Sequence, residues 1–166
     1  MELFRFSLEA GFSGKKPAVR LNGTSDIQWY RFIDMDALYA DTGIRFYDYT
    51  KWPLQPSLPS REAYSLTFSI SEDPHSWRRA FDYVGQGYSA AVVVAQLGKN
   101  TLAGARAAQQ KAVDQGHLTF LGHKFPTIHG DEDDLRMLDE RGGLVVLYAK
   151  GKALKEESPF VHRISL

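Results

Sequence analysis

Short apolar runs, each closing on polar residues, set the rhythm of the chain. "AVRLN" (18–22) runs into Gly23, Thr24, Ser25 and Asp26; "GIRFYDY" (43–49) into Thr50 and Lys51; "YSLTFSI" (64–70) into Ser71 and Glu72. "YSAAVVVAQL" (88–97) closes on Gly98 and Lys99, and "GLVVLYA" (143–149) on Lys150, Gly151 and Lys152. Each run has strand length and a β-rich composition. The fourth is continuously hydrophobic, as a central strand buried on both faces requires.

Helical spacing fills the gaps. Trp29 to Ala40 places Phe32, Ile33, Met35 and Leu38 at near-helical spacing, with Ser25 or Asp26 as the expected cap. "DPHSWRRAFDYVGQG" has Pro74 near a start and Gly85 and Gly87 as stops, and "LAGARAAQQKAVDQG" is built of helix formers up to Gly116. Strands alternating with helices predict an α/β fold, with a largely parallel sheet or a partial barrel. In "LRMLDERGGLVVLY" the "ERGG" between two apolar runs predicts a C-terminal antiparallel hairpin turning at Glu140–Gly143. "LQPSLPS", after Pro53, predicts an extended loop of the kind that forms lids or binding loops.

The chain's 166 residues fit a single domain, 1–166. Twenty basic residues balance twenty acidic ones, so no global field steers the chain to nucleic acid, and such binding needs a local basic patch. There is no cysteine, which excludes disulfides, zinc-thiolate sites and cysteine nucleophiles. The N-terminus lacks the apolar core of a secretory signal, and no apolar stretch approaches the roughly 18 residues of a membrane span. The expectation is a cytoplasmic protein without a membrane partner.

Ligands of parallel α/β sheets sit at the carboxyl ends of strands. The polar clusters lie at those ends, so a shared rim is the candidate site. Arg20, Asn22, Thr24, Ser25, Thr50, Lys51, Ser71, Lys150 and Lys152 are its candidate substrate-binding groups, and Asp26, Asp48 and Glu72 its candidate acids or bases. Strand ends and helix caps use many of the same residue types, so the bland reading stands beside this one. Within "FYDYTK", Asp48 faces opposite to Tyr47 and Tyr49, and its expected partner is Arg20 or Lys150.

"PTIHGDEDDLRMLD" (126–139) concentrates acidic groups. It reads first as a solvated turn; as a metal site it would hold magnesium or manganese through Asp131 and Asp134. No nucleophile elbow, phosphate loop or paired-histidine zinc motif is present.

"RLNGTSDIQW", "FYDYTKW", "YSLTFSISE", "HGDEDDLRMLD" and "VVLYAKGKA" together resemble the phage gene-product-88-like family of phage and plasmid proteins, from about Val19 to Val161. The resemblance implies a mobile-element origin. Longer members carry a cysteine-rich segment upstream of the first block, which implies a cluster-binding barrel; for this cysteine-free chain it implies the scaffold without an iron–sulfur cluster. Two functions follow. One is an enzyme acting on a small-molecule nucleotide, a nucleic acid or another phosphate-bearing substrate. The other is a non-catalytic counter-defence or interaction factor that blocks a host protein.

Overall fold

Strands alternate with helices along the chain and run largely parallel, giving the expected α/β fold. The computed structural model describes residues 2–132, 135–139 and 142–166. Two units divide the chain. The first takes residues 1–50, 55–67 and 135–138, the second 51–54, 68–134 and 139–166.

The first unit holds helix α1 (Glu2–Phe12), strand β1 (Ala18–Arg20), helix α2 (Met35–Thr42), strand β2 (Arg45–Thr50) and the start of strand β3 (Tyr64–Ser69). β1 and β2 pair in parallel, Val19 opposite Phe46 and Arg20 opposite Tyr47. Along β2, Phe46, Asp48 and Thr50 are buried while Arg45, Tyr47 and Tyr49 are half-buried, the period of two that a pleated strand imposes. The Phe46 N–H donates to the Ala63 carbonyl at 2.8 Å, tying β2 to the approach to β3.

The helix expected over Trp29–Ala40 is broken in two. Trp29–Arg31 forms a 3₁₀ turn, and α2 begins only after Asp34, whose carboxylate accepts the Ala37 N–H at 3.0 Å. Neither Ser25 nor Asp26 caps it. Asp34 is the better placed cap because the preceding residues are held out of helical geometry by bonds described below. Phe32 and Ile33 lie in the break and are exposed. In the loop beyond β2, the Ser60 N–H donates to the Asp36 carboxylate at 3.1 Å.

The second unit adds helix α3 (Ser76–Gly85), strand β4 (Ser89–Gln96), helix α4 (Leu102–Asp114) and strands β5 (His117–Phe120), β6 (His123–His129), β7 (Leu144–Tyr148) and β8 (Val161–Ile164). β4 is its centre. Val93 faces Leu147 of β7 across one edge and Val161 of β8 across the other, both in parallel. β6 lies parallel beyond β7, with His129 opposite Val146. Six of the eight β4 residues are buried, so both faces are covered; α3 and α4 both pack on it. α4 approaches closely because its inner face is alanine, with Ala105, Ala108 and Ala112 sealed. Among the described residues no helix is long and apolar enough to cross a membrane.

The antiparallel hairpin exists, but β5 and β6 form it. Phe120 pairs with His123, so Leu121 and Gly122 are a two-residue turn with φ of 47° and 81°. Two positive φ values give the twist that suits a tight hairpin. The hairpin expected at "ERGG" has a different explanation. Arg136–Leu138 is a 3₁₀ turn rather than a strand, and β7 runs parallel to both its neighbours; Glu140 and Arg141 lie outside the described residues. The glycines answer to close approach. A Cβ on Gly142 would sit 2.2 Å from the Tyr88 carbonyl oxygen, and one on Gly143 would sit 2.7 Å from that of Pro126.

Gly142→Ala should therefore destabilise the protein by about 1–3 kcal/mol through forced backbone movement. Gly85→Ala, where an added Cβ meets nothing within 4 Å, should be neutral or stabilising by up to about 1 kcal/mol. Urea melts of the two variants check the contrast; equal effects would refute the close-approach account.

Candidate functional site

The polar block after β1 folds around one side chain. Asn22, 2% exposed, accepts through Oδ1 from the Ser25 hydroxyl at 2.8 Å, the Trp29 indole Nε1 at 3.0 Å and the Ile27 N–H at 3.2 Å. Its Nδ2 donates back to the Ile27 carbonyl at 2.9 Å. These bonds curl residues 22–29 into a closed loop and keep Trp29 out of a continuous helix. Arg20 completes the loop's entry, donating from Nε to the Asn22 carbonyl at 2.9 Å, with its guanidinium 5.0 Å from the Tyr49 ring centre.

Asp48, 1% exposed, anchors that loop to β2. Its Oδ1 accepts the Asn22 backbone N–H at 2.6 Å; its Oδ2 accepts Asn22 Nδ2 at 3.1 Å and the Tyr64 hydroxyl at 2.6 Å. The hydrogen bonds come from neutral donors, because the buried face of β2 meets the Asn22 loop and β3, while the expected partner Arg20 acts on Asp48 through its charge. Burial raises the Asp48 pKa above the ordinary carboxylate value, opposed by the Tyr64 bond, the Asn22 N–H and the Arg20 charge. Burial, reinforced by Asp48, also raises the Tyr64 phenol. Chemically this is a tie: the Asp48 bonds to Asn22 and Tyr64 are spent inside the unit, so it is poorly placed to exchange a proton with a ligand.

The other first-unit candidates differ in exposure. Thr24 is exposed, Asp26 is half-buried and Thr50 is buried. Lys51, Ser71, Glu72, Asp131, Lys150 and Lys152 belong to the second unit. Lys51 and Glu72 are exposed there. The Ser71 N–H donates to the Ser76 hydroxyl at 2.8 Å, and its own hydroxyl accepts the Asp73 N–H at 3.4 Å, so it fastens the start of α3.

The second unit gathers its own group at the carboxyl ends of β6 and β7. Just past β6, Asp131 accepts through Oδ2 from Gln109 Nε2 at 2.7 Å and the Tyr148 N–H at 3.1 Å. Its Oδ1 takes the Lys150 ammonium at 2.5 Å. Gln109 is fixed in turn by donating to the Val146 carbonyl at 2.6 Å. Lys150 Nζ stands 4.4 Å from the Tyr148 ring centre, and the Arg106 guanidinium from α4 stands 5.2 Å from the same ring. The bond to Asp131 raises the Lys150 pKa, keeping the ammonium charged. Lys152 follows on an exposed 3₁₀ turn, Gly151–Lys155. Arg163 binds that turn to the β4–α4 loop, donating to the carbonyls of Lys99 at 3.2 Å, Leu154 at 3.0 Å and Glu156 at 2.9 Å.

Asp131 thus meets a lysine rather than a second carboxylate, and Asp134 lies outside the described residues. Among the described residues, no three His, Asp or Glu side chains stand close enough to hold a metal ion. Sequence reasoning missed Gln109, Arg106, Tyr148 and Arg163. Gln109 carried a signal: it is a polar residue one turn from both Ala105 and Ala112 on the buried face of α4.

The raised Asp48 pKa gives a signed expectation. The folded state holds the proton more tightly than the unfolded state, so Asp48 contributes stability below its unfolded pKa of roughly 4, and loses it as pH rises through the folded value. Asp48→Asn should cost about 1–3 kcal/mol at pH 7, because one buried donor loses its acceptor. The gap between wild type and variant should widen on acidification towards pH 4. Urea melts at several pH values measure it, and a gap that narrows would mean the three donors hold the carboxylate below its usual range instead.

No curated protein and no solved structure matches the chain. A family model described as Gene product 88 matches residues 5–164, a span that takes in both the Asn22–Asp48 tie and the Asp131–Lys150 group. The chain belongs to the Gene product 88 family.

Proposed function

We propose that the protein binds a phosphate-bearing ligand, a nucleotide or a nucleic-acid strand, at the carboxyl ends of β6 and β7. The observation that carries this reading is the pair of cations on Tyr148, with Lys150 at 4.4 Å and Arg106 at 5.2 Å from one ring. Lys152 adds a third positive charge two residues from Lys150, and Asp131 is the carboxylate that Lys150 meets. A chain of zero formal charge thereby gains a local positive patch, and it lies at the end of parallel strands where α/β folds hold ligands. Asp131 orients Lys150 rather than cancelling the patch.

The support is for binding more than for turnover. Asp48 is spent in its tie, and Glu72 lies exposed at the turn before α3. The rival reading, contact with a host protein, draws on the exposed Ile27, Phe32 and Ile33 of the first unit. Salt separates the two, since phosphate binding weakens with ionic strength and apolar contact does not.

Fluorescence anisotropy with a labelled oligonucleotide, and competition by ATP and inorganic phosphate, tests the proposal. Lys150→Ala and Arg106→Ala should each weaken binding and lower the salt slope by roughly one for an oligonucleotide. Absence of binding to all three probes at low salt would overturn it.

A further inference from the structure

α3 and the β5–β6 hairpin enclose a groove of about 420 Å³. It lies wholly in the second unit and apart from the residues around Tyr148. Its walls are aromatic from both sides. Trp77 of α3 stacks on Phe120 of the hairpin, 4.0 Å between centroids and 11° between planes, and Phe125 sits behind them at 6.1 Å from Trp77. Phe81, one helical turn on, is 46% exposed and 4.7 Å from His123. The volume falls in the range of small-molecule sites, which are mostly apolar with a few placed polar groups.

Two features are not explained by packing alone. Leu121 forms a lip at the hairpin tip, 83% exposed, in a left-handed conformation (φ 47°) that glycine or asparagine adopts more readily. A turn needs no leucine there, and an apolar ligand would. Arg78 lines the groove and, among the described residues, its side chain makes neither a hydrogen bond nor an ion pair. Asp82 lines it one turn further along α3, so the groove's cation and anion sit at different turns and an anionic group fits only beside Arg78.

We propose that this groove is a binding site for a planar aromatic anion, its ring between Phe81 and the Leu121 lip and its negative group on Arg78. An aromatic carboxylic acid and a nucleotide share that chemistry. The site goes beyond the phosphate reading, and its residues are different ones, so either can fail alone.

The test titrates the intact protein with 2-naphthoate, uncharged 2-naphthamide, 2-naphthylmethylammonium and adenosine monophosphate, following backbone amide shifts. Saturable binding of an anion, with shifts centred on α3 and the hairpin, is expected. Arg78→Ala should weaken the anion about tenfold, the loss of one charge-assisted hydrogen bond, and leave the amide unchanged. Phe81→Ser, at an exposed position, should abolish binding of both while thermal melts stay cooperative. The tighter of naphthoate and adenosine monophosphate names the source. Binding by neither anion, preference for the ammonium, or shifts elsewhere in the chain would overturn the proposal.

Discussion

Burial of both faces of β4 is the constraint on which the second unit depends. A strand with six of eight residues out of solvent has no polar face to offer, so helices must cover it twice. That demand fixes the alanine face of α4, because only small side chains let helix and strand approach closely. It also fixes the glycines before β7. To run between β4 and β6, the chain must pass the backbones of Tyr88 and Pro126 at distances no Cβ tolerates. The parallel arrangement follows from the same crossovers, and it collects the ends of β6 and β7 where Asp131 and Lys150 meet.

The two hydrogen-bonded carboxylates, one buried and one half-buried, illustrate two uses of one group. Asp48 is surrounded by neutral donors, two from Asn22 and one from Tyr64, and its burial raises the cost of charge. Asp131 also accepts two neutral donors, but its second oxygen faces a lysine whose side chain is 60% exposed. The first holds a loop to a strand. The second aims a cation towards solvent. The difference comes from location: Asp48 points inward from the middle of β2, whereas Asp131 follows β6 where the strand ends.

Much of this architecture was legible along the chain. Five apolar runs became β1, β2, β3, β4 and β7, because their composition favours a pleated, buried surface whatever the context. α4 was legible from its helix formers. What failed depended on partners distant in sequence. Trp29 reads as helical until Asn22 accepts a hydrogen bond from its indole N–H, and "ERGG" reads as a turn until Tyr88 is seen against Gly142. "LTFLGHKF" hid a hairpin because leucine, not asparagine, precedes its glycine. Of the site, Lys150 and Asp131 were both visible, but as an anion holder and a metal ligand. Their pairing across 19 residues has no local signature.

The count of charges also misleads, because the cations of the second unit are not equally free to act. Arg163 lies on the sheet at β8 and donates to the carbonyls of Lys99, Leu154 and Glu156, so its guanidinium is committed to holding two loops together. Lys150 is half committed: one carboxylate oxygen orients it, yet most of its side chain stays in solvent. Arg106 stands with its guanidinium 5.2 Å from the Tyr148 ring centre, a cation–π contact that uses none of its N–H donors. At the ends of β6 and β7, Lys150 and Arg106 therefore keep donors in reserve, whereas the guanidinium of Arg163 is taken up by carbonyls. A neutral composition does not fix the local field, which depends on which charged groups stay uncommitted at each end of the sheet.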